Sequence, residues 1–68
     1  MPLASLTERQ REILALLARG HSNREIAQQL VISLETVRWH TKQIYRRLEV
    51  RNRTEAAAYA QASSLIPG

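Results

Sequence analysis

The 68-residue chain is long enough for one small domain, and without cysteine it has to fold on a hydrophobic core alone, with no disulfide. One tryptophan, two tyrosines and no phenylalanine leave aliphatic and alanine side chains to build that core, which favours packed helices over a sheet. The net charge of +4 indicates a polyanionic partner, whereas the lack of a long apolar run or an export signal argues against a membrane partner and predicts a cytoplasmic protein.

A first helix is predicted in LTERQREILALLARG, where Thr7 and Gln10 have the spacing of a capping box. The Thr7 hydroxyl can accept a hydrogen bond from a first-turn N–H, and the Gln10 amide can reach back to the helix start. Gly20 is expected to end this helix, because glycine adopts the left-handed conformation without steric cost. The apolar stripe of the helix is formed by Ile13, Leu14 and Leu17.

A short second helix is predicted in HSNREIAQQL, and it also opens with a capping box, formed by Ser22 and Glu25. Only VIS connects it to the next helix, with Ser33 as the expected N-cap. Two helices joined by so short a turn are expected to cross steeply, as in a helix-turn-helix unit. The inward-facing side chains of the second helix are Ile26, Ala27 and Leu30.

The third helix is predicted to run from Ser33 to about Leu48, and its two sides differ in chemistry. At about 100° per residue, one side carries an apolar stripe of Val37, Thr41, Ile44 and Leu48. The opposite side carries Trp39, Lys42 and Arg46. Because the apolar stripe is complete without Trp39, the only tryptophan is predicted to lie outside the core.

Positive charge is concentrated in this third helix and directly after it. Residues 38–53 contain six arginines and lysines but a single acid, Glu49, whereas before Ser33 four arginines are nearly balanced by three glutamates. A basic helix surface that follows a tight helix-to-helix turn predicts an all-α, four-helix DNA-binding domain. Its third helix would be the recognition helix.

A fourth helix is predicted to start at Thr54 with Glu55 and to continue through TEAAAYAQAS. Alanine is the strongest helix former, so helix propensity alone explains the alanine run. Small side chains also allow two helices to approach closely. A weak homodimer through the region of Ala57, Ala58 and Tyr59 is therefore a hypothesis.

Leu6 to Ala60 closely resembles the C-terminal DNA-binding domain of LuxR-type, or GerE-type, transcription regulators. The resemblance is carried, in order, by LTERQREIL, SNREIAQQLVIS, TVRWHTKQIYRRL and VRNRTEA. It implies a third helix that enters the major groove of duplex DNA and a fourth helix that often pairs two subunits. It also implies that residues 1–68 are one domain, the C-terminal part of a larger bacterial regulator with an N-terminal sensing part.

The same resemblance gives individual positions expected roles at DNA. The major-groove positions correspond to Arg38, Trp39 and Lys42, together with Thr36, which lies near the backbone. Phosphate contacts are expected from Ser22, Asn23 and Arg24 at the start of the second helix, and from Arg46. His40 and Ile44 match positions that mainly support the recognition helix.

Two positions depart from the family pattern. Glu49 stands where glycine often follows the third helix, which predicts slight strain at that helix end. Trp39 stands at a base-reading position that more often holds a smaller or aliphatic residue, so base specificity does not transfer from relatives. Two roles are possible for Arg51, Asn52 and Arg53: contact with the DNA backbone, or capping and cross-linking of the last loop.

Simpler structural roles compete with the expected DNA contacts. Ser22 is an N-cap in any case, although the free N–H groups of that helix start suit a phosphate. Arg46 and Arg47 are also favoured by the dipole at a helix C-terminus. Arg38 suits a guanine edge and a phosphate equally well. Trp39 suits a thymine methyl or deoxyribose, but a half-buried packing role or docking on another domain would use the same side chain.

No constellation typical of an enzyme or a metal site is recognisable, since there is no cysteine and no glycine-rich phosphate loop, and His40 has no second ligand at metal-ligand spacing. The expected function is non-enzymatic binding of duplex DNA without a cofactor, with RNA polymerase left open as a further partner. One alternative is promoter recognition as in sigma factors, which LTERQREILALLARGHSNREIA also resembles. The other is protein docking through Trp39, which salt should weaken much less than it weakens phosphate contacts.

Overall fold

The structure, a computed structural model, describes residues 5–63. Over that range the chain forms four helices, α1 (Glu8–Ala18), α2 (Asn23–Leu30), α3 (Leu34–Leu48) and α4 (Arg53–Ala62). The predicted all-α class is confirmed, with α2 and α3 as the helix-turn-helix. In this part of the chain no helix has the length and apolar character of a membrane span, and the longest helix, α3, has 15 residues.

Side-chain caps open the helices because the first N–H groups of a helix have no partner within it. Both predicted capping boxes are present. Thr7 Oγ1 accepts from the backbone N–H of Gln10 at 3.1 Å, and Ser22 Oγ accepts from that of Glu25 at 3.1 Å. Ser33 caps α3, as predicted.

The start of α4 differs from the prediction, which placed it at Thr54 with Glu55. The helix begins at Arg53, and its N-cap is Asn52, whose Oδ1 accepts from the backbone N–H of Glu55 at 2.9 Å. The Glu55 carboxylate in turn accepts from the backbone N–H of Arg51 at 2.7 Å. Asn52 has the three-residue spacing to Glu55 that a capping interaction requires, whereas Thr54 is adjacent to that acid.

Three helices are closed by a residue with a left-handed backbone, and only the first of these residues is glycine. Gly20, at φ 98, follows α1 as predicted, and the next N–H, that of His21, donates to the carbonyl of Leu16 at 3.1 Å. The other two residues, which follow α2 and α3, are Val31 with a φ of 56° and Glu49 with a φ of 58°. Glu49 thus adopts the left-handed conformation although it is not glycine, which agrees with the slight strain expected at that helix end. The turn between α2 and α3 contains a second such residue, Val31.

The hydrophobic core lies where α1 packs against the other three helices, and α2 packs against α3 beside it. The predicted stripes of α1 and α3 are confirmed as core-facing. In α2, Ile26 and Ala27 are buried, whereas Leu30 packs partly buried against the core. The buried apolar side chains are Leu6, Ile13, Leu14, Leu16, Leu17, Ile26, Ala27, Val37, Ile44, Leu48, Ala56 and Ala60.

Candidate nucleic-acid interface

The outer face of α3, the side turned away from the core, forms a shallow depression of about 280 Å³. All four side chains that line it are exposed and come from adjacent turns of the helix: Glu35, Arg38, Trp39 and Lys42. Residues three or four positions apart are neighbours on a helix surface, which is why these four share one patch. The structure thus brings three of the four predicted groove residues together.

Trp39 lies outside the core, as the helical pattern predicts. Its side chain is 55% exposed, and its ring meets the ring of His40 edge-on, with centroids 5.1 Å apart and planes at 75°. The core-facing stripe of α3 is complete without it. An aromatic ring exposed to this extent is available for contact with another molecule.

The cations of the outer face are not neutralised by the rest of the described chain. Arg38, Lys42 and Arg46 are exposed, and the two ion pairs found within residues 5–63 lie on α1 and at the start of α2. Because none of these three side chains forms an ion pair within that range, their positive charges are available to an anion from outside.

The first turn of α3 holds Thr36, the remaining predicted groove residue. Its backbone N–H donates to Ser33 Oγ at 3.1 Å, and its own Oγ1 lies 2.8 Å from that hydroxyl. The Thr36 side chain is exposed. The cap thus fixes a hydroxyl at the surface of the helix start, outside the depression.

The start of α2 holds the other predicted phosphate-binding residues, Ser22, Asn23 and Arg24. Within residues 5–63 the backbone N–H groups of Asn23 and Arg24 have no protein acceptor, and Arg24 is exposed. The Asn23 Oδ1 is buried with no partner among the described residues, but it is an acceptor and cannot itself donate to an anion. The Glu25 carboxylate accepts from the Ser22 N–H at 2.8 Å, so one negative charge already lies beside this site.

Gln10 ties α3 to α1, a role that the sequence interpretation missed. Only 1% of Gln10 is exposed. Its Oε1 accepts from the backbone N–H of Thr7 at 3.2 Å and from Arg47 Nη1 at 3.0 Å, while its Nε2 lies 3.3 Å from His40 Nδ1. A polar residue on the otherwise apolar face of α1 was the available signal.

His40 and Arg47 act within the fold. Burial, and then the positive charge of Arg9, lower the pKa of His40 below its ordinary value of 6.5, which favours a neutral ring whose Nδ1 accepts from Gln10. Arg47 also donates to the backbone carbonyl of Ser5 at 2.9 Å. His40 therefore has the supporting position expected of it, and Arg47 is engaged inside the molecule.

Comparison with known proteins agrees with this architecture. The family described as bacterial regulatory proteins, luxR family, matches residues 4–60. The chain is 56% identical over 62 residues to YhjB of Escherichia coli and 44% identical over 66 residues to the transcriptional regulatory protein LiaR of Bacillus subtilis. It is 49% identical over 61 residues to the response regulator protein VraR of Staphylococcus aureus.

These alignments cover 91%, 97% and 90% of this chain, respectively. They cover only 31%, 31% and 29% of the three relatives, so the chain spans about a third of their length. The family match includes α1, α2, α3 and α4 as far as Ala60. The chain therefore belongs to the luxR family of bacterial regulatory proteins, as a helix-turn-helix domain of the DNA-binding, transcription-regulating kind.

Proposed function

We propose that this chain recognises duplex DNA by sequence, with α3 inserted into the major groove. The observation that carries the proposal is the outer face of α3, where the exposed Trp39 shares one depression with the unpaired cations Arg38 and Lys42. The major groove of B-DNA is wide enough to admit an α-helix, and each base pair presents a distinct pattern of donors and acceptors there.

Each groove residue brings a different contact. The Arg38 guanidinium suits the O6 and N7 acceptors of guanine, and Lys42, one turn further along, reaches the same stretch of groove. The Trp39 ring can pack on a thymine methyl or a deoxyribose, with its indole N–H as donor. Thr36 lies at the start of α3, where its hydroxyl suits the sugar–phosphate backbone.

Phosphate contacts are proposed at two places. At the start of α2, the N–H groups of Asn23 and Arg24, the Arg24 side chain and the Ser22 cap form an anion site of the kind found at helix N-termini. In the last turn of α3, the exposed Arg46 is a free cation. Phosphate contacts position the helix on DNA, whereas base contacts select the sequence.

Protein docking through the exposed Trp39 is the second candidate function, since tryptophan is also a common anchor in protein interfaces. A selection from a randomised duplex library at moderate salt distinguishes the two. We expect enrichment of a two-fold-related sequence, with an affinity that falls as salt rises, by a logarithmic slope of about −0.9 per phosphate contacted. Retention without an enriched sequence would contradict sequence recognition and leave a basic module that binds DNA non-specifically. No retention at all would favour docking through Trp39.

The role of Trp39 has its own test. Trp39→Ala should weaken specific binding by about 1–3 kcal/mol if the ring contacts a base, without unfolding the domain, because the ring is outside the core. Titration of the selected duplex with both proteins measures the difference. Unchanged affinity and unchanged base preference would remove Trp39 from the site.

Regulation of the LuxR type is favoured over promoter recognition of the sigma-factor type. The two resemblances share the segment from α1 into α2, and the LuxR resemblance alone continues through a fourth helix. The family match extends into α4, to residue 60. Binding near a promoter as part of a regulator is therefore the form of recognition we propose.

A weak homodimer through α4 is also proposed. Ala56 and Ala60 are buried in the core, whereas Ala58 is exposed and Ala57 and Tyr59 are half-buried. Sedimentation at high protein concentration, with and without DNA, should show dimer that Ala58→Glu abolishes and Ala58→Ser retains. Monomer alone under both conditions would contradict the proposal.

The chain is further proposed to be the C-terminal part of a longer, cytoplasmic regulator. Its span of about a third of its relatives supports the longer protein, and the resemblance to LuxR-type regulators supports the C-terminal place. The name of one relative, a response regulator, supports an N-terminal part that senses a signal. An interaction with RNA polymerase, as a further partner, remains a prediction. Pull-down of polymerase by the DNA-bound protein would test it.

A further inference from the structure

One acid lies among the cations of the α3 outer face. Glu35 lines the depression together with Arg38, Trp39 and Lys42. It is exposed, and within residues 5–63 its carboxylate makes neither a hydrogen bond nor an ion pair. Near DNA phosphates a negative charge is repelled, so its presence in a DNA-binding patch requires a reason.

The helix dipole is an insufficient reason. It favours an acid in the first turn of any helix, and α1, α2 and α4 carry Glu8, Glu25 and Glu55 there. The carboxylates of Glu25 and Glu55 are occupied, since they accept backbone N–H groups at 2.8 Å and 2.7 Å. Glu35, like Glu8, makes no such contact within residues 5–63. Of these four acids only Glu35 lines the depression, three residues before Arg38 and four before Trp39.

We infer that Glu35 is a specificity-determining residue that accepts a hydrogen bond from the N4 amine of a cytosine in the major groove. This inference rests on the DNA recognition proposed above. Cytosine presents only that donor in the groove, whereas guanine and thymine present acceptors, which a carboxylate repels. Adenine places its N7 acceptor beside its N6 donor, so it is a poorer partner for the carboxylate.

Glu35 and Arg38 then read complementary edges. Their side chains start about 5–6 Å apart on the helix surface, so they reach the same base pair or neighbouring ones. Arg38 donates to a guanine and Glu35 accepts from a cytosine nearby, while the repulsion between Glu35 and phosphates weakens binding to unrelated DNA. The acid thus raises specificity at the expense of total affinity.

The test is a selection from a randomised duplex library, run in parallel with the 68-residue chain and three variants. Glu35→Gln removes the charge and supplies the amide that pairs with adenine N6 and N7. Glu35→Asp keeps the charge and the helix-start position but shortens the reach. Glu8→Gln is the matched control, because it removes a first-turn acid that does not line the depression. Circular dichroism confirms that each variant is folded.

We expect the unaltered chain to select cytosine at one position, and Glu35→Gln to shift that position toward adenine while the other positions stay the same. Its affinity for the original site should fall about fivefold or more, the effect of one mismatched base pair. Its affinity for unrelated duplex should stay equal or rise. Glu35→Asp should lose the preference for cytosine but should not bind unrelated duplex more tightly. Glu8→Gln should behave as the unaltered chain.

Two results would contradict the inference, and they are distinguishable. An unaltered chain that enriches a sequence, with the same base preferences in both Glu35 variants, would overturn the role of Glu35 alone. An unaltered chain that enriches no sequence would overturn the proposed DNA recognition and, with it, the role of Glu35.

Discussion

The two sides of α3 show how one helix separates folding from recognition. The inner stripe is buried, and its one polar member, Thr41, satisfies its hydroxyl by donating to the carbonyl of Arg38 at 2.8 Å. The outer face is exposed, and its charged side chains have no partner within residues 5–63. Periodic burial therefore determines one side, whereas the other can change without unfolding the domain, which is what a base-reading surface needs.

The largest expected loss of stability comes from a substitution on the inner side of α3. Ile44→Ala removes a side chain with no exposed surface and should lower the free energy of unfolding by about 2–5 kcal/mol. Lys42→Ala, on the outer face, should change it by no more than about 0.5 kcal/mol. Urea unfolding of both variants compares the two sides. Equal losses would contradict the separation of roles.

The ends of α1 and α3 test whether backbone conformation, as distinct from side-chain burial, contributes to stability. Gly20→Ala should destabilise by about 1–2 kcal/mol through backbone strain alone, because an added Cβ would meet nothing within 4 Å. Glu49→Gly, at φ 58 directly after α3, should stabilise by about 0.5–1 kcal/mol. Thermal unfolding measures both variants. Changes of the same sign would show that backbone conformation does not control these ends.

Two adjacent arginines of α3 give a matched pair. Arg47→Ala should cost about 1 kcal/mol of stability, because its hydrogen bonds to Gln10 and Ser5 are lost, and should leave the salt dependence of DNA binding unchanged. Arg46→Ala should leave stability unchanged and reduce the salt slope by about 1. Urea unfolding and binding at several salt concentrations test both. A reduced slope in Arg47→Ala would contradict the assignment.

The smallest effect concerns His40, at the border between the two sides of α3. Its folded pKa is lowered, so its contribution to stability is complete above its ordinary value of 6.5 and decreases as the pH falls below that value. Protonation of Nδ1 also removes the acceptor for Gln10. Stability should fall modestly between pH 7.5 and 5.5, and less so in His40→Gln. An identical pH profile in that variant would exclude His40 as the cause.

Local features were predictable from the sequence, and contacts between distant residues were not. The caps at Thr7, Ser22 and Ser33 depend on neighbours three residues away, so their spacing revealed them. The role of Gln10 depends on partners 30 and 37 residues away, which no local pattern reports. Asn52 and Thr54 are both capping residue types, and only the three-residue spacing of Asn52 to Glu55 distinguishes the actual cap.

The candidate site was predictable to a similar extent. Helical periodicity placed Trp39 and Lys42 on one exposed face, because that face is what remains after the core stripe is assigned. The resemblance added Arg38. An acid in a first turn has the same sequence signature whether it serves the helix dipole or a partner, so only the shared depression distinguishes Glu35.

The most direct measurement is the specificity ratio of the double variant Arg38→Ala, Trp39→Ala, defined as its affinity for the selected duplex divided by its affinity for a shuffled one. Its unfolding free energy is measured beside it. If the outer face of α3 reads DNA, the ratio should fall at least about tenfold, with stability within about 0.5 kcal/mol of the unaltered chain. An unchanged ratio in a folded protein would show that sequence is read elsewhere.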